Sequence, residues 1–192
     1  MPFVSTFVLV SFLGAFLASL SAPPTFFARE GFCCVGMIWV LTGILGSLPF
    51  YLSGAVPSFV DCLFESFSGF TTTGGTVLPD VEILPQGVQF WRCFSHWLGG
   101  MGVLILATAG LPSLGEQSQY LARAETPGPF VLKLVPRQPR TSKILYAIYC
   151  VMTLVVILLL WAAGLPLYDA VVHAFSIAGT GGFSSKNASF AF

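Results

Sequence analysis

Two short stretches carry the groups that could do chemistry: residues 61–76, DCLFESFSGFTTTGGT, and residues 169–184, DAVVHAFSIAGTGGFS. They align without a gap at a spacing of 108 residues, so that Asp61 falls on Asp169, Phe67 on Phe175, Ser68 on Ser176, Thr72 on Thr180 and Gly74 on Gly182. Each stretch opens as a short amphipathic helix and ends in a run of Thr and Gly that will not continue it. Glycine at Gly74 and Gly75 allows positive φ, which can turn successive carbonyls to one side while the threonines pack behind or add oxygen ligands. Such carbonyls can replace the water around a cation, and a helix whose C-terminal end points at the loop adds partial negative charge. An anion site would call for a basic ring, and neither copy contains Lys or Arg as far as Ser184.

The polar residues around these loops read as support. Asp61, with Asp169 as its counterpart in the second copy, stands where an N-cap belongs, and Phe64, Phe67 and Ser68 fall at i, i+3 and i+4 to give one packing face. Glu65 and His173 occupy equivalent places, where a capping or helix-to-helix hydrogen bond is the expected role; Ser68 and Ser176 complete the expected pore-helix support. Arg92 and His96 begin a later apolar segment and are expected to snorkel to headgroups or to bond a pore helix. Gly99, Gly100 and Gly102 have no copy and read as packing glycines. Ser68 or Ser95 with His96 or His173 could make a hydrolase, but no GxSxG elbow supports one. Cys33, Cys34, Cys62, Cys93 and Cys150 show no metal-site spacing and read as small buried hydrophobes. Asn187-Ala188-Ser189 matches the short and common glycosylation pattern.

These residues must be held by membrane helices. Of 192 residues, 55% are apolar and 8% charged, against about 25% charged in soluble domains. A bilayer crossing takes about 20 mostly apolar residues, and segments 3–20, 31–52 and 144–167 qualify, with 90–111 a weaker fourth because it carries Arg92 and His96. No cation precedes Arg29, so the first segment lacks a secretory signal's basic region and reads as an uncleaved helix. Cations concentrate in 21–30 and 112–143, which the positive-inside rule places in the cytoplasm. Both copies then begin from the outer side and enter the bilayer as re-entrant segments, since non-helical backbone at that depth is tolerated only inside protein or beside a watery cavity. A net charge of zero gives no reason to expect nucleic acid. The expected fold is therefore an all-α membrane protein with transmembrane helices and two helix, pore loop, helix repeats. Its expected parts are an N-terminal helix and link at 1–30, a first repeat at 31–111, a basic connection at 112–143 and a second repeat at 144–192.

FESFSGFTTTGGT, FWRCFSHWLGGMGVLILATAGLPSLG, RAETPGP and HAFSIAGTGGFSS occur in order, with REGF from Arg29 and LPF before the first pore helix. On these motifs the chain resembles the Trk branch of the Trk/Ktr/HKT potassium transporters over nearly its whole length. The resemblance implies a K⁺ uptake protein of the bacterial inner membrane, multi-pass and not an enzyme, with no cofactor and K⁺ as the transported ion. It implies four successive repeats, each giving one loop to a selectivity filter, with filter glycines at Gly74 and Gly182 and K⁺ on the carbonyls of Thr72, Thr73, Gly74, Thr180, Gly181 and Gly182, and with Gly75 beside them. Besides membrane lipid, the implied partners are a second copy in a homodimer and a cytosolic nucleotide-binding regulatory subunit, which the basic connection would face.

Measured against that pattern, the chain ends ten residues after Gly182, and is expected to be the incomplete N-terminal part of such a subunit, its second repeat truncated after the filter loop. A ring that strips an ion of water needs about four loops, so the chain alone is not expected to conduct. The alternative is a non-conducting module that assembles with a full-length subunit and modulates it.

Overall fold

The computed structural model describes residues 2–19, 28–102 and 138–189. Every regular element among them is a helix: α1 (Pro2–Ser19), α2 (Ala28–Leu52), α3 (Phe59–Phe70), α4 (Gln86–Gly100), α5 (Gln138–Ala162) and α6 (Leu167–Ala178). The end of the expected fourth span, 103–111, and the connection at 112–137 lie outside the described residues, as do residues 21–27.

Within α2 and α5, Cys33–Leu52 and Lys143–Ala162 are long and apolar enough to cross a bilayer, with mean hydropathy 1.8 and 2.6. α1 is apolar on every side, and its Phe7 and Phe12 stand 73% and 76% exposed, as on a helix that meets lipid or another apolar surface. The span expected to run to residue 167 stops earlier. Gly164 takes φ +101 and the Leu165 N–H donates back to the Leu160 carbonyl at 3.2 Å, a glycine closure of the helix end that turns the chain straight into α6. The span expected at 90–111 also differs. Its helix starts at Gln86 and ends at Gly100, followed by Gly102 at φ +68, and it buries Gln89, Arg92, Ser95 and His96. Its polar face is turned into the protein, where α3 and α6 pack against it.

α3 and α6 are 12 residues each, so at 1.5 Å per residue they reach about 18 Å and fall short of a hydrocarbon core about 30 Å thick. Their first and last residues keep the 108-residue spacing. The N-caps are not the aspartates. Ser58 caps α3, its hydroxyl accepting from the Asp61 N–H at 3.4 Å, and Pro166 precedes α6 without a side-chain cap. Asp61 and Asp169 lie in the first turns, where a carboxylate meets the positive end of the helix.

The packing face of α3 also differs from expectation, for Phe64 is exposed and the buried residues are Cys62, Glu65, Ser66, Ser68, Gly69 and Phe70. Close approach explains this. A Cβ on Gly43 or Gly46 of α2 would strike the rings of Phe67 or Phe70, and the Ser66 hydroxyl donates to the Gly43 carbonyl at 2.7 Å. Small residues let backbones this near each other. On α4 the glycines act as read: a Cβ on Gly99 would run into the Phe70 carbonyl, and one on Gly100 would lie 2.7 Å from both Gly179 Cα and Tyr149 Oη. α4 is thereby wedged between the ends of α3 and α6, and Trp97 Nε1 ties it to Thr153 of α5 at 3.0 Å. Of the cysteines, all free, Cys62 and Cys93 are buried, Cys34 and Cys150 half-buried and Cys33 exposed, so the buried reading holds for only part of the set.

Candidate functional site

Both short helices end in the same turn. The Thr72 N–H donates to the Gly69 carbonyl and the Thr73 N–H to the Ser68 carbonyl, each at 3.0 Å. In the second copy Thr180 donates to Ile177 at 3.0 Å and Gly181 to Ser176 at 2.9 Å. This pair of bonds closes a helix whose next residue is left-handed, a place glycine usually takes. Here it is threonine, Thr72 at φ +56 and Thr180 at φ +55. A β-branched residue there costs of order 1–3 kcal/mol and persists only where its surroundings over-determine it. The expectation that Gly74 and Gly75 carry positive φ holds for Gly74 (φ +74) and not for Gly75; the principal turn falls on the threonines.

Beyond the turns, the chain uses up some carbonyls and leaves others. The Ser68 hydroxyl donates to the Gly75 carbonyl at 2.6 Å. Among the described residues, no hydrogen bond ends on the carbonyls of Thr72, Thr73, Gly74, Thr180, Gly181 or Gly182. The two loops meet backbone to backbone, since a Cβ on Gly74 would lie 3.0 Å from the Gly182 nitrogen.

Behind the loops stands a duplicated clamp built from different residues. Glu65 Oε1 accepts from the Thr76 hydroxyl at 2.5 Å and from the Val77 N–H at 2.9 Å, while Thr76 Oγ1 accepts from the Leu78 N–H at 3.2 Å. At the equivalent places His173 Nε2 lies 2.9 Å from the Ser184 hydroxyl, which accepts from the Lys186 N–H at 3.0 Å. The Asp169 carbonyl, 2.8 Å from Nδ1, can only accept, so Nδ1 carries the ring proton, and with the ring neutral Nε2 accepts from the Ser184 hydroxyl. Asp169 Oδ1 accepts from Ser185 at 2.7 Å. The buried hydroxyl of Ser176, the counterpart of Ser68, faces the Cys93 thiol and not a loop carbonyl.

Arg92 does not snorkel. It is 2% exposed, its Nε donates to Glu65 Oε2 at 2.7 Å, its Nη1 donates to the Ser184 carbonyl at 3.2 Å, and its Cζ lies 3.8 Å over the Phe183 ring. His96, fully buried, packs on the second loop: its ring is 4.1 Å from that of Phe183 and a Cβ on Gly181 would strike it. Neither ring nitrogen of His96 sits at bonding geometry. The Ser68 and Ser95 hydroxyls donate to the Gly75 and Arg92 carbonyls, each at 2.6 Å, so neither hydroxyl is paired with a histidine.

Past the loops, Asn187 joins the segment after the second to the segment after the first. Its Oδ1 accepts from the Val81 N–H at 2.9 Å and its Nδ2 donates to Asp80 Oδ1 at 2.7 Å. That bond, together with the Glu82 N–H, holds the Asp80 carboxyl below the usual range. The glycosylation pattern thus falls on an asparagine already engaged at both ends.

The family model described as TrkH, cation transport protein, matches residues 1–192. The chain belongs to the TrkH family. The Trk system potassium uptake protein TrkH of Salmonella typhimurium is 45% identical over 164 residues, 84% of this chain and 34% of that protein. Its counterpart of the same name in Vibrio parahaemolyticus is 40% identical over 195 residues, covering 100% of this chain and 40% of that protein. The crystal structure of the potassium transporter TrkH from Vibrio parahaemolyticus matches with a TM-score of 0.79 at 36% identity, over 100% of this chain and 38% of that one. The chain thus spans a third to two-fifths of the length of the curated relatives it matches, and its helices are those of a multi-pass membrane transporter fold.

Within that TrkH-family fold, the structure brings the loop of Thr72, Thr73 and Gly74 against that of Thr180, Gly181 and Gly182, with Glu65, Ser68, Asp169 and His173 bonded to the residues that follow each loop. What sequence reasoning missed was Arg92 as the partner of Glu65, and Cys93 and Gln89 as α4 contacts to the loops. The available signal was their spacing, since Gln89, Arg92, Cys93 and His96 share one helical face.

Proposed function

We propose that this chain supplies two loops of the selectivity filter of a K⁺ uptake protein, as the N-terminal part of a subunit completed by further repeats. The observation that supports the reading is the pair of matching turns whose loops meet backbone to backbone at Gly74 and Gly182, with six carbonyls on which no hydrogen bond ends among the described residues. K⁺ would exchange its water for the carbonyls of Thr72, Thr73, Gly74, Thr180, Gly181 and Gly182 and pass down its electrochemical gradient. Gly75 would take no ion directly, because Ser68 holds its carbonyl; its part is to let that bond form. Asp61, Glu65, Ser68, Asp169, His173 and Ser176 would support the loops. The chemistry is binding and release without bond-making, so the chain is read as a transporter and not an enzyme, with no cofactor. A bacterial inner membrane, a second copy as dimer partner and a cytosolic nucleotide-binding regulatory subunit complete the proposal.

The test is ion flux through the completed protein, with residues 1–192 joined to the remaining repeats of a relative such as Vibrio parahaemolyticus TrkH. Gly74→Ser places a Cβ against the Gly182 backbone at a positive φ, and K⁺ over Na⁺ discrimination should fall. Unchanged selectivity would remove Gly74 from the filter. Rescue of K⁺-uptake-deficient cells by the 192-residue chain alone would contradict the need for more repeats.

A further inference from the structure

The first repeat's outgoing helix does more than flank its own loop. Four residues on one face of α4 meet the second loop in reverse order: Gln89 Nε2 is 3.4 Å from the Ser185 carbonyl, Arg92 Nη1 is 3.2 Å from that of Ser184, Cys93 Sγ is 3.9 Å from that of Phe183, and His96 packs on Gly181 and Phe183. Helix and loop run antiparallel, so each step along one matches a step along the other. The same face also holds the first repeat, through Gln89 Nε2 on the Val81 carbonyl at 2.7 Å and Arg92 Nε on Glu65 at 2.7 Å.

We infer that Arg92 is a positioning residue that sets the second filter loop from the first repeat, so that the two loops keep one geometry. One edge of its guanidinium lies on Glu65, which grips Thr76 and Val77; another donor reaches Ser184; its plane lies on Phe183. Only a planar fork can serve both partners and the ring together. A lysine carries the charge as a point on a flexible stem and has no face to stack. With Arg92 2% exposed and Glu65 fully buried, neither group can exchange its partner for water.

The link between loops stands on geometry alone; its effect on ion choice rests on the proposed filter, and two measurements separate them. The first is amide hydrogen exchange on the full 192-residue chain in detergent. Arg92→Lys keeps a cation beside Glu65 and loses the Ser184 bond, so exchange across 181–187 should quicken about tenfold, with 76–78 and α5 unchanged. The paired Glu65→Gln/Arg92→Gln variant removes both buried charges, so it folds even if a single charge deletion does not, and it should also free 181–187. Equal exchange in all forms, or quickening spread evenly through α5, overturns the inference. The second measurement is K⁺ against Na⁺ flux in the completed protein, where both variants should lose selectivity. A parent protein with no K⁺ preference would defeat the filter reading; a selective parent with equally selective variants would defeat the role given to Arg92.

Discussion

Replacing Thr72 with glycine turns the strained turn into a test with a definite sign. At φ +56 a side chain bearing a Cβ costs about 1–2 kcal/mol, which glycine recovers. Against this, glycine brings roughly 0.5–1 kcal/mol of extra chain entropy to the unfolded state. The Thr72 hydroxyl makes no hydrogen bond that the change would remove, since the bonded hydroxyls nearby are those of Thr71 and Thr73, 2.8 Å apart. Thr72→Gly should therefore stabilise the chain by about 0.5–1 kcal/mol, a rise of roughly 2 °C in the melting temperature, measured by thermal unfolding in detergent. Thr180→Gly, at φ +55, should behave alike. In the completed protein the same change should lower K⁺ over Na⁺ discrimination, because glycine frees the carbonyl that a branched residue holds in place. A loss of stability at both sites would refute the claim that the turn stores strain, since an ordinary threonine-to-glycine exchange goes in that direction.

Further outcomes follow from the same geometry. Gly99→Ala should destabilise by about 1–3 kcal/mol, because its Cβ meets the Phe70 carbonyl, whereas Gly14→Ala, with nothing within 4 Å, should not; chemical unfolding of the two variants compares them. Ser58→Ala should cost about 1 kcal/mol as the true cap, and Asp61→Ala a few tenths through the helix dipole, so a larger loss at Asp61 would reinstate it as the cap. The folded Asp80 carboxyl is held low by Asn187, so the stability it lends is present above the ordinary value of 3.8 and is lost as pH falls below it; melting curves from pH 6 down to 3 should show this fall, and Asp80→Asn should flatten it.

How far the sequence could be read depends on the range of each interaction. The duplicated helices were legible because their determinants are local: an acid in the first turn, Phe and Ser at fixed places and a Thr/Gly run recur at one spacing, and the structure keeps that spacing at both ends of α3 and α6. The cap of α3 was misplaced by three residues because serine and aspartate both favour a helix start and only geometry ranks them. Of the two roles expected for Arg92, bonding the first short helix holds and snorkelling does not, and the particular partner stayed hidden because it lies 27 residues away. Sequence shows a cation near the end of an apolar run, and burial or snorkelling is decided by whether an unpaired carboxylate faces it. The turn at Thr72 escaped because propensity assigns positive φ to glycine, and the choice was overridden by bonds from Thr73 and Gly74 onto one Ser68 carbonyl.

The two copies agree where an ion would meet backbone and differ where side chains support it. Glu65 is matched by His173, Gly75 by Phe183 and Thr76 by Ser184, yet the mechanical role is the same in both copies. The hydroxyl of Thr76 or Ser184 is gripped from the short helix, and the carbonyl before it, unlike the six free ones, has a side-chain partner. In the first copy the Ser68 hydroxyl holds that carbonyl at 2.6 Å; in the second the Cys93 thiol of α4 reaches it at 3.9 Å, and Ser176 does not. The exchange follows from Phe183. Its ring fills the space between Arg92 and His96 and so hands the second loop to α4, a helix of the other repeat. The filter proposed above would constrain the turn and not the residues behind it, which accounts for a support that differs between the copies while the φ angles at Thr72 and Thr180 lie within one degree of each other.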